Sequence, residues 1–306
     1  MIVAVTGGTG FVGRHLIGAL AGEAGVSVRA LSRRPAPDIE AAGAAVVRGG
    51  LEDEAALSRL TDGARAVVHC AGIVSAPRPA DYERANAGGT AAVLRAADPA
   101  ARFVHVSSLA AREPGLSAYA ASKRRGEQLV AEAGRTDAVV VRPPAVYGPG
   151  DRATLPIFQQ LRRGLLIAPA RRAARFSLIF VADLARLLAR LALGAFRSDR
   201  PVEPDDGRAG GYGWEDLAAI AGKASGRRIR TLYLPTRLLW PVALGAEAWS
   251  RIVDRPPPLS RDKLRELGHS DWVCGPLPAG LGWRPSTGFA EGHAETAAWY
   301  ERAGWL

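Results

Sequence analysis

Lysine is almost missing from this chain. Only Lys123, Lys223 and Lys263 are lysines among its 40 basic residues, and the arginines that replace them are spread along the whole sequence. They come with heavy Ala, Gly and Pro usage, so a composition bias accounts for most of the net charge of +10. A basic balance can indicate nucleic acid, an anionic membrane surface or an acidic substrate. No nucleic-acid motif of recognised type accompanies it, and no nucleic-acid partner is expected. The local clusters Arg171, Arg172, Arg175 and Arg227, Arg228, Arg230 suit the anionic tail of a small-molecule substrate. Cysteine is scarce too. Cys70 and Cys274 form no CxxC or Cys/His cluster, which excludes a disulfide framework and leaves no metal site expected. Long apolar runs are absent: the longest uncharged one, Leu238 to Ala246, is broken by Pro241 and is far shorter than the roughly 20 residues of a spanning helix. The start, MIVAVT, lacks a basic n-region and a cleavage site. A cytoplasmic chain with no transmembrane segment is therefore expected. Hydrophobic residues at 48% and charged residues at 23% exclude disorder, collagen and coiled coil.

At 306 residues the chain suits one large domain or two, at about 150 residues each. Short apolar runs at 2–6, 26–31, 45–48, 66–69, 103–106 and 138–142 alternate with helical spacing at 52–60, 90–97 and 119–133. That rhythm predicts an α/β fold, a doubly wound parallel sheet covered on both faces. After Gly150 it breaks. SLIFVADLARLLARLAL adds one strand and helix, and Trp214–Ala224 reads as a further helix. The expected layout is a dinucleotide-binding domain of residues 1–150 with 176–196, and a smaller substrate-binding domain of 151–175 with 197–306. The apolar segment 232–256 reads first as core of the small domain. Two other readings stay open: a wall over a lipid-like substrate, or a membrane-surface contact through Leu238, Leu239 and Trp240. Trp272, Trp283, Trp299 and Trp305 read as packing residues, and His69 and His105 as hydrogen-bonded core groups in buried strands.

Thr6-Gly7-Gly8-Thr9-Gly10-Phe11-Val12-Gly13 joins the first strand to the first helix. Glycines there let backbone N–H groups approach a pyrophosphate at the positive end of the helix dipole. An acidic residue closing the second strand would hold both ribose hydroxyls of NAD. Ser32, Arg33 and Arg34 stand there instead, and arginine pairs with a 2′-phosphate, so NADP is expected ahead of NAD.

Tyr119-Ala-Ala-Ser-Lys123 sets a tyrosine and a lysine on one helix face. A lysine ammonium one turn away favours the phenolate, so the tyrosine can serve as an acid–base at neutral pH. Such a pair would arise by chance only about 0.06 times in a chain of this composition. Ser107 and Ser108 close the strand FVHV at the carboxyl end of the sheet, where ligands bind.

Taken in order, TGGTGFVG, VVHCAG, ANAGGT, FVHVSS, YAASK, VVRPPAVYGPGD and FVADLA resemble the extended short-chain dehydrogenase/reductase family, also called the NAD-dependent epimerase/dehydratase family. The resemblance runs through nearly the whole chain. It implies a Rossmann-type fold, a nicotinamide cofactor and a catalytic set in which Ser108 holds the substrate oxygen, Tyr119 is the acid–base and Lys123 holds the nicotinamide ribose. It also implies cofactor contacts from Gly7, Thr9, Gly10, Phe11, Val12, Gly13, Leu51, Ala71, Gly72, Pro143 and Val146. Homodimers through the Tyr-Lys helix are common in the family. Three departures matter. Gly50 stands where an Asp often meets the adenine. Ala145 replaces the Asn with which sugar-nucleotide members hold substrate. Only residues 109–118 separate Ser108 from Tyr119, too few for their sugar-contacting loop. An NADP-dependent oxidoreductase acting on a carbonyl or secondary alcohol is the leading reading. A nucleotide-sugar epimerase/dehydratase with resident NAD(P) is the second. The third is a non-catalytic NADPH-binding subunit like the accessory one of respiratory complex I.

Overall fold

The computed structural model describes residues 1–169 and 171–306. They fall into two compact units. The first holds Met1–Pro143, Leu184–Val202 and Leu277–Trp283; the second holds Pro144–Asp183, Glu203–Pro276 and Arg284–Leu306.

The first unit alternates strand and helix. In chain order these are β1 (Ile2–Thr6), α1 (Phe11–Ala21), β2 (Ser27–Ser32), α2 (Pro37–Ala41), β3 (Ala44–Arg48), α3 (Glu54–Thr61), β4 (Ala66–His69), α4 (Pro79–Tyr82), α5 (Gly89–Ala96), β5 (Arg102–Val106), α6 (Ala118–Glu132) and β6 (Ala138–Val141). A π-helical turn, Glu83–Gly88, precedes α5, and a 3₁₀ turn, Leu109–Arg112, follows β5. All six strands are parallel, in the order β3-β2-β1-β4-β5-β6. This is the expected doubly wound Rossmann arrangement: the order reverses between β1 and β4, which opens a crevice at their carboxyl ends. Strands β4 and β5 are buried at every position, as strands covered on both faces must be. Ala4, Val67 and Phe103 of the sheet pack with Leu57, Leu60 and Val93 of the helices.

The second unit contains β7 (Ala145–Tyr147), α7 (Leu155–Arg163), β8 (Leu165–Ala168), β9 (Arg175–Phe176) and β10 (Leu178–Phe180). Helix α8 (Val181–Leu193) starts in it and continues in the first unit. There follow α9 (Trp214–Ser225), β11 (Arg230–Tyr233), α10 (Thr236–Val253), α11 (Arg261–Gly268), β12 (Asp271–Trp272) and α12 (Phe289–Arg302). Among the described residues its strands pair in twos, β10 with β7, β11 with β8 and β12 with β9, all parallel, and Phe176 of β9 also makes an antiparallel bridge to Tyr212. Its core is aromatic, built on Tyr147, Phe158, Tyr212, Trp214, Phe289 and Tyr300, with Trp299 and Trp305 against it. Trp272 is anchored by its indole N–H on the Glu266 carbonyl at 2.8 Å, and Trp283 falls in the first unit.

Segment 232–256 departs from its first reading. Helix α10 packs one side, where Ala243 and Ser250 are buried, and turns Leu238, Val242, Trp249 and Ile252 to solvent. An apolar helical stripe in sequence does not reveal whether a protein surface exists to cover it.

Asp183 is fully buried and ties the start of α8 to the C-terminal segment. Its carboxylate accepts from the Ser286 N–H and hydroxyl at 3.0 Å each and from the Thr287 N–H at 2.9 Å. Asp183→Ala removes a buried acceptor from three donors, of which the Thr287 N–H is itself buried. The substitution should cost about 2–4 kcal/mol, read as a lower urea midpoint at unchanged slope.

Candidate active site

The glycine loop is built by close approach. Gly7 adopts φ +73°, and a Cβ on it would lie 2.6 Å from the Ala71 nitrogen, at the end of β4. A Cβ on Gly13 would overlap the Gly7 carbonyl. The loop is closed by the Gly10 N–H donating to the Gly7 carbonyl at 2.9 Å. Helix α1 then begins with no side-chain cap and no acidic residue in its first turn. Its first-turn N–H groups and positive dipole end suit an anionic ligand. The cradle therefore fits the pyrophosphate of a dinucleotide. Thr9 and Gly10 are exposed, while Phe11 and Val12 are half-buried.

Beyond β2, the Ser32 hydroxyl is taken up by a local turn, donating to the Arg34 carbonyl at 2.6 Å and accepting from its N–H. Arg48 donates to the Arg33 carbonyl at 2.9 Å. The loop so braced leaves Arg33 and Arg34 exposed. Leu51 is half-buried against α5: a Cβ on Gly89 would lie 2.5 Å from its Cδ1.

Below the cradle runs a polar relay. The Thr6 hydroxyl accepts from the Ala71 N–H at 3.3 Å and meets His69 Nδ1 at 2.7 Å; His69 Nε2 meets the Thr90 hydroxyl at 3.1 Å, and that hydroxyl donates to the Asn86 carbonyl. With the Thr90 proton committed, its oxygen must accept from His69 Nε2–H, and Nδ1 must accept from Thr6. Burial, aided by the positive charge of Lys123, pushes His69 down to about 3, so the ring stays neutral. His105 corrects the expectation of a hydrogen-bonded core group: neither of its ring nitrogens has a partner. Its ring stacks on that of His69 at 5.5 Å between centroids. Burial and the Lys123 charge hold His105 well below its usual range.

Helix α6 carries both Tyr119 and Lys123, one turn apart. Lys123 is buried, and its ammonium donates to the Val106 carbonyl at the end of β5, at 2.7 Å. Burial pulls it down to about 8, opposed by Cys70 and Glu127. Cys70 is pushed up to about 12 by the same burial. The two serines now separate. Ser107 is buried and donates to Glu127 Oε1 at 2.6 Å, while Arg142 clamps both Glu127 oxygens at 2.7 and 2.6 Å. Ser108 is half-buried, and its oxygen accepts one 3.2 Å bond from the Ala110 N–H as it caps the 3₁₀ turn. That turn packs on α6, so Ser108 and the Tyr-Lys pair belong to one assembly. Tyr119 is half-buried, its ring edge-on to Tyr82 at 6.2 Å.

Sequence reasoning singled out the ANAGGT segment but not the role of Asn86. Asn86 lies on the π-helical turn, as functional residues often do. Its amide accepts from the Ile73 N–H at 2.8 Å and donates to the Ile73 carbonyl and the Ser122 hydroxyl, which in turn donates to the Tyr119 carbonyl. It thereby ties the segment after β4, with Ala71 and Gly72, to the first turn of α6. Glu127 and Arg142 carried no motif. Pro143 is buried in the first unit, its carbonyl accepting from the Leu109 N–H at 2.9 Å. Val146 lies in the second unit, on β7. Among the described residues no cluster of three or more His, Cys, Asp or Glu could hold a metal ion.

The buried ammonium makes a testable electrostatic signature in the cofactor-free protein. Between about pH 8 and the usual lysine value the unfolded chain holds more protons at this position than the folded one, so stability rises with pH there. Lys123→Met should remove that rise. The measurement is the difference in Tm between the two proteins across pH 7–10.5, which should shift in favour of the unsubstituted protein as pH climbs.

The model of the NAD dependent epimerase/dehydratase family matches residues 3–201. A ceramide reductase of Caulobacter vibrioides is 39% identical over the whole of this chain and 96% of its own length. A 2-alkyl-3-oxoalkanoate reductase of Stenotrophomonas maltophilia is 33% identical over 54% of this chain and 57% of its own. Among solved structures, MoeE5 in complex with UDP-glucose and NAD superposes with a TM-score of 0.74 at 22% identity, covering 99% of each chain. At that identity the likeness speaks for the fold alone.

Proposed function

The chain belongs to the NAD dependent epimerase/dehydratase family and is an NAD(P)-dependent oxidoreductase; within that family we propose that it reduces a ketone on a long-chain, lipid-like substrate, with NADPH as hydride donor. The observation that carries this reading is Lys123, buried on the Val106 carbonyl one turn from Tyr119, with Ser108 on the turn packed against the same helix. A ligand-binding scaffold alone has no need of a buried ammonium beside a half-exposed phenol. Burying that charge costs several kcal/mol, and its retention suits chemistry.

Each residue then has a task. The nicotinamide, when bound, supplies the hydride. The Ser108 hydroxyl donates to the carbonyl oxygen of the substrate, and the Tyr119 hydroxyl donates to the same oxygen and gives up its proton as negative charge develops there. The Lys123 ammonium lies one turn away, where its charge stabilises the phenolate left behind. Asn86 and Ser122 hold the first turn of α6 so that the phenol keeps its place. Ser107 takes no part, because its hydroxyl is committed to Glu127.

NADPH is preferred on account of Arg33 and Arg34, exposed together after β2 on a loop with no acidic residue. The substrate class rests on two supports. One relative, matched over the whole of this chain at 39% identity, is named a ceramide reductase, and a shorter match is named a 2-alkyl-3-oxoalkanoate reductase. In the sequence itself, Ala145 and the ten-residue interval 109–118 remove the features by which sugar-nucleotide members hold their substrates.

Tyr119→Phe should lower kcat for reduction of a long-chain 3-oxo lipid by about 10²-fold or more while NADPH fluorescence titration gives an unchanged Kd. Turnover that survived would remove Tyr119 from the mechanism. Arg33→Ala with Arg34→Ala should weaken NADPH binding about tenfold and leave NADH binding as it was, a loss of one charge-assisted contact.

A further inference from the structure

Half of the chain's net charge is concentrated in one stretch of the second unit. Residues 223–255 hold seven basic side chains against two acidic ones, a net +5 out of +10. Lys223, Arg227, Arg228, Arg230, Arg237 and Arg255 are exposed. Of the two acids, Glu247 lies on the packed side of α10, where it accepts from the Arg261 N–H at 2.7 Å and pairs with its guanidinium at 2.9 Å.

The same stretch carries an uncovered apolar face. Leu238, Val242, Trp249 and Ile252 of α10 are 61%, 59%, 64% and 76% exposed. Their spacings of four, seven and three residues place them on one side of the helix, with Pro241 and Gly245 between them adding no polar side chain. The other side packs on α11 and buries Ala243 and Ser250. Scattered exposed apolar residues need no explanation, but an aligned face does.

We infer that α10 is an interfacial helix that docks the second unit on an anionic lipid bilayer. A face of Leu, Val, Ile and Trp flanked by arginine matches the acyl boundary and the charged headgroups together. A second copy of the chain matches it poorly, since a two-fold contact on α10 would set the same arginines against one another. The helix lies in the interface and does not span: among the described residues no helix is long and apolar enough to cross a membrane. This surface goes beyond the proposed carbonyl reduction and explains how an enzyme for a lipid-like ketone reaches a substrate held in a membrane.

The test is flotation of the full chain with phosphatidylcholine vesicles containing about one-third phosphatidylglycerol, beside vesicles of phosphatidylcholine alone. The protein should float with the anionic vesicles and much less with the neutral ones. Trp249→Asp with Ile252→Asp should weaken anionic-vesicle binding at least about tenfold, since both lost contacts are wholly apolar. Because these side chains are exposed, the thermal melt should be unchanged; if that pair perturbs it, Arg237→Glu gives the decision by weakening anionic-vesicle binding alone. Failure to float, or equal flotation of the variants, overturns the inference. So does a dimer in sedimentation equilibrium that the double substitution splits, which would assign α10 to a second copy. Flotation is read without substrate or cofactor, and reduction of a short water-soluble ketone is read beside it. The docking surface and the proposed chemistry can therefore fail separately.

Discussion

Two buried polar links hold α6 against the carboxyl end of β5, and the candidate site depends on them. One is the Lys123 ammonium on the Val106 carbonyl; the other is Glu127, held by Ser107 and by both arms of Arg142. Burial of either charge alone would cost several kcal/mol. Glu127 and Arg142 satisfy each other in bidentate geometry, which offsets that cost and fixes the register of the helix on β5 and β6. Lys123 has no carboxylate bonded to its ammonium, and its depressed proton affinity records the burden. The structure tolerates a strained ammonium because the rest of α6 is pinned, and the pinned helix keeps Tyr119 in place.

The glycine loop shows the same economy from the other side of the sheet. Its closeness to the segment after β4 is possible only because Gly7 has no Cβ, just as the missing Cβ of Gly13 lets α1 meet the Gly7 carbonyl, and through Ala71 and Thr6 that closeness extends into the His69 relay. The glycine loop and α6 are thus joined through neutral hydrogen bonds. The exception is His105, which has packing but no hydrogen-bond partner; burial and the Lys123 charge hold it well below its usual range.

Much of this was legible in the residues. Strands β4 and β5 read as buried runs because every residue in them, except Arg102 at the start of β5, is apolar or histidine, and TGGTGFVG announced the first turn because glycine spacing has few other uses. Tyr119 and Lys123 stood out since lysine is so rare here. Other parts were not legible. Serine looks alike at 107 and 108, and only the placement of Glu127 on α6 tells which hydroxyl is committed. Asn86 sits in a short polar segment whose folding into a π-helical turn no periodicity signals. The exposure of α10 was hidden because an amphipathic pattern fixes a face but not what covers it. Of the small parallel pairs of the second unit only the strand in SLIF was read, for a related reason: strands of two to four residues leave no alternation to read.

The central claim is net hydride transfer to a ketone at the Ser108, Tyr119 and Lys123 assembly, as opposed to a cofactor kept unchanged. Incubation with NADPH deuterated at the transferable C4 position and a long-chain 3-oxo lipid, followed by mass spectrometry of the product, tests it most directly. The account predicts an alcohol one mass unit heavier at the former carbonyl carbon, in step with NADP⁺ formed. An unlabelled product, or a cofactor that leaves the reaction with its deuterium, would contradict it.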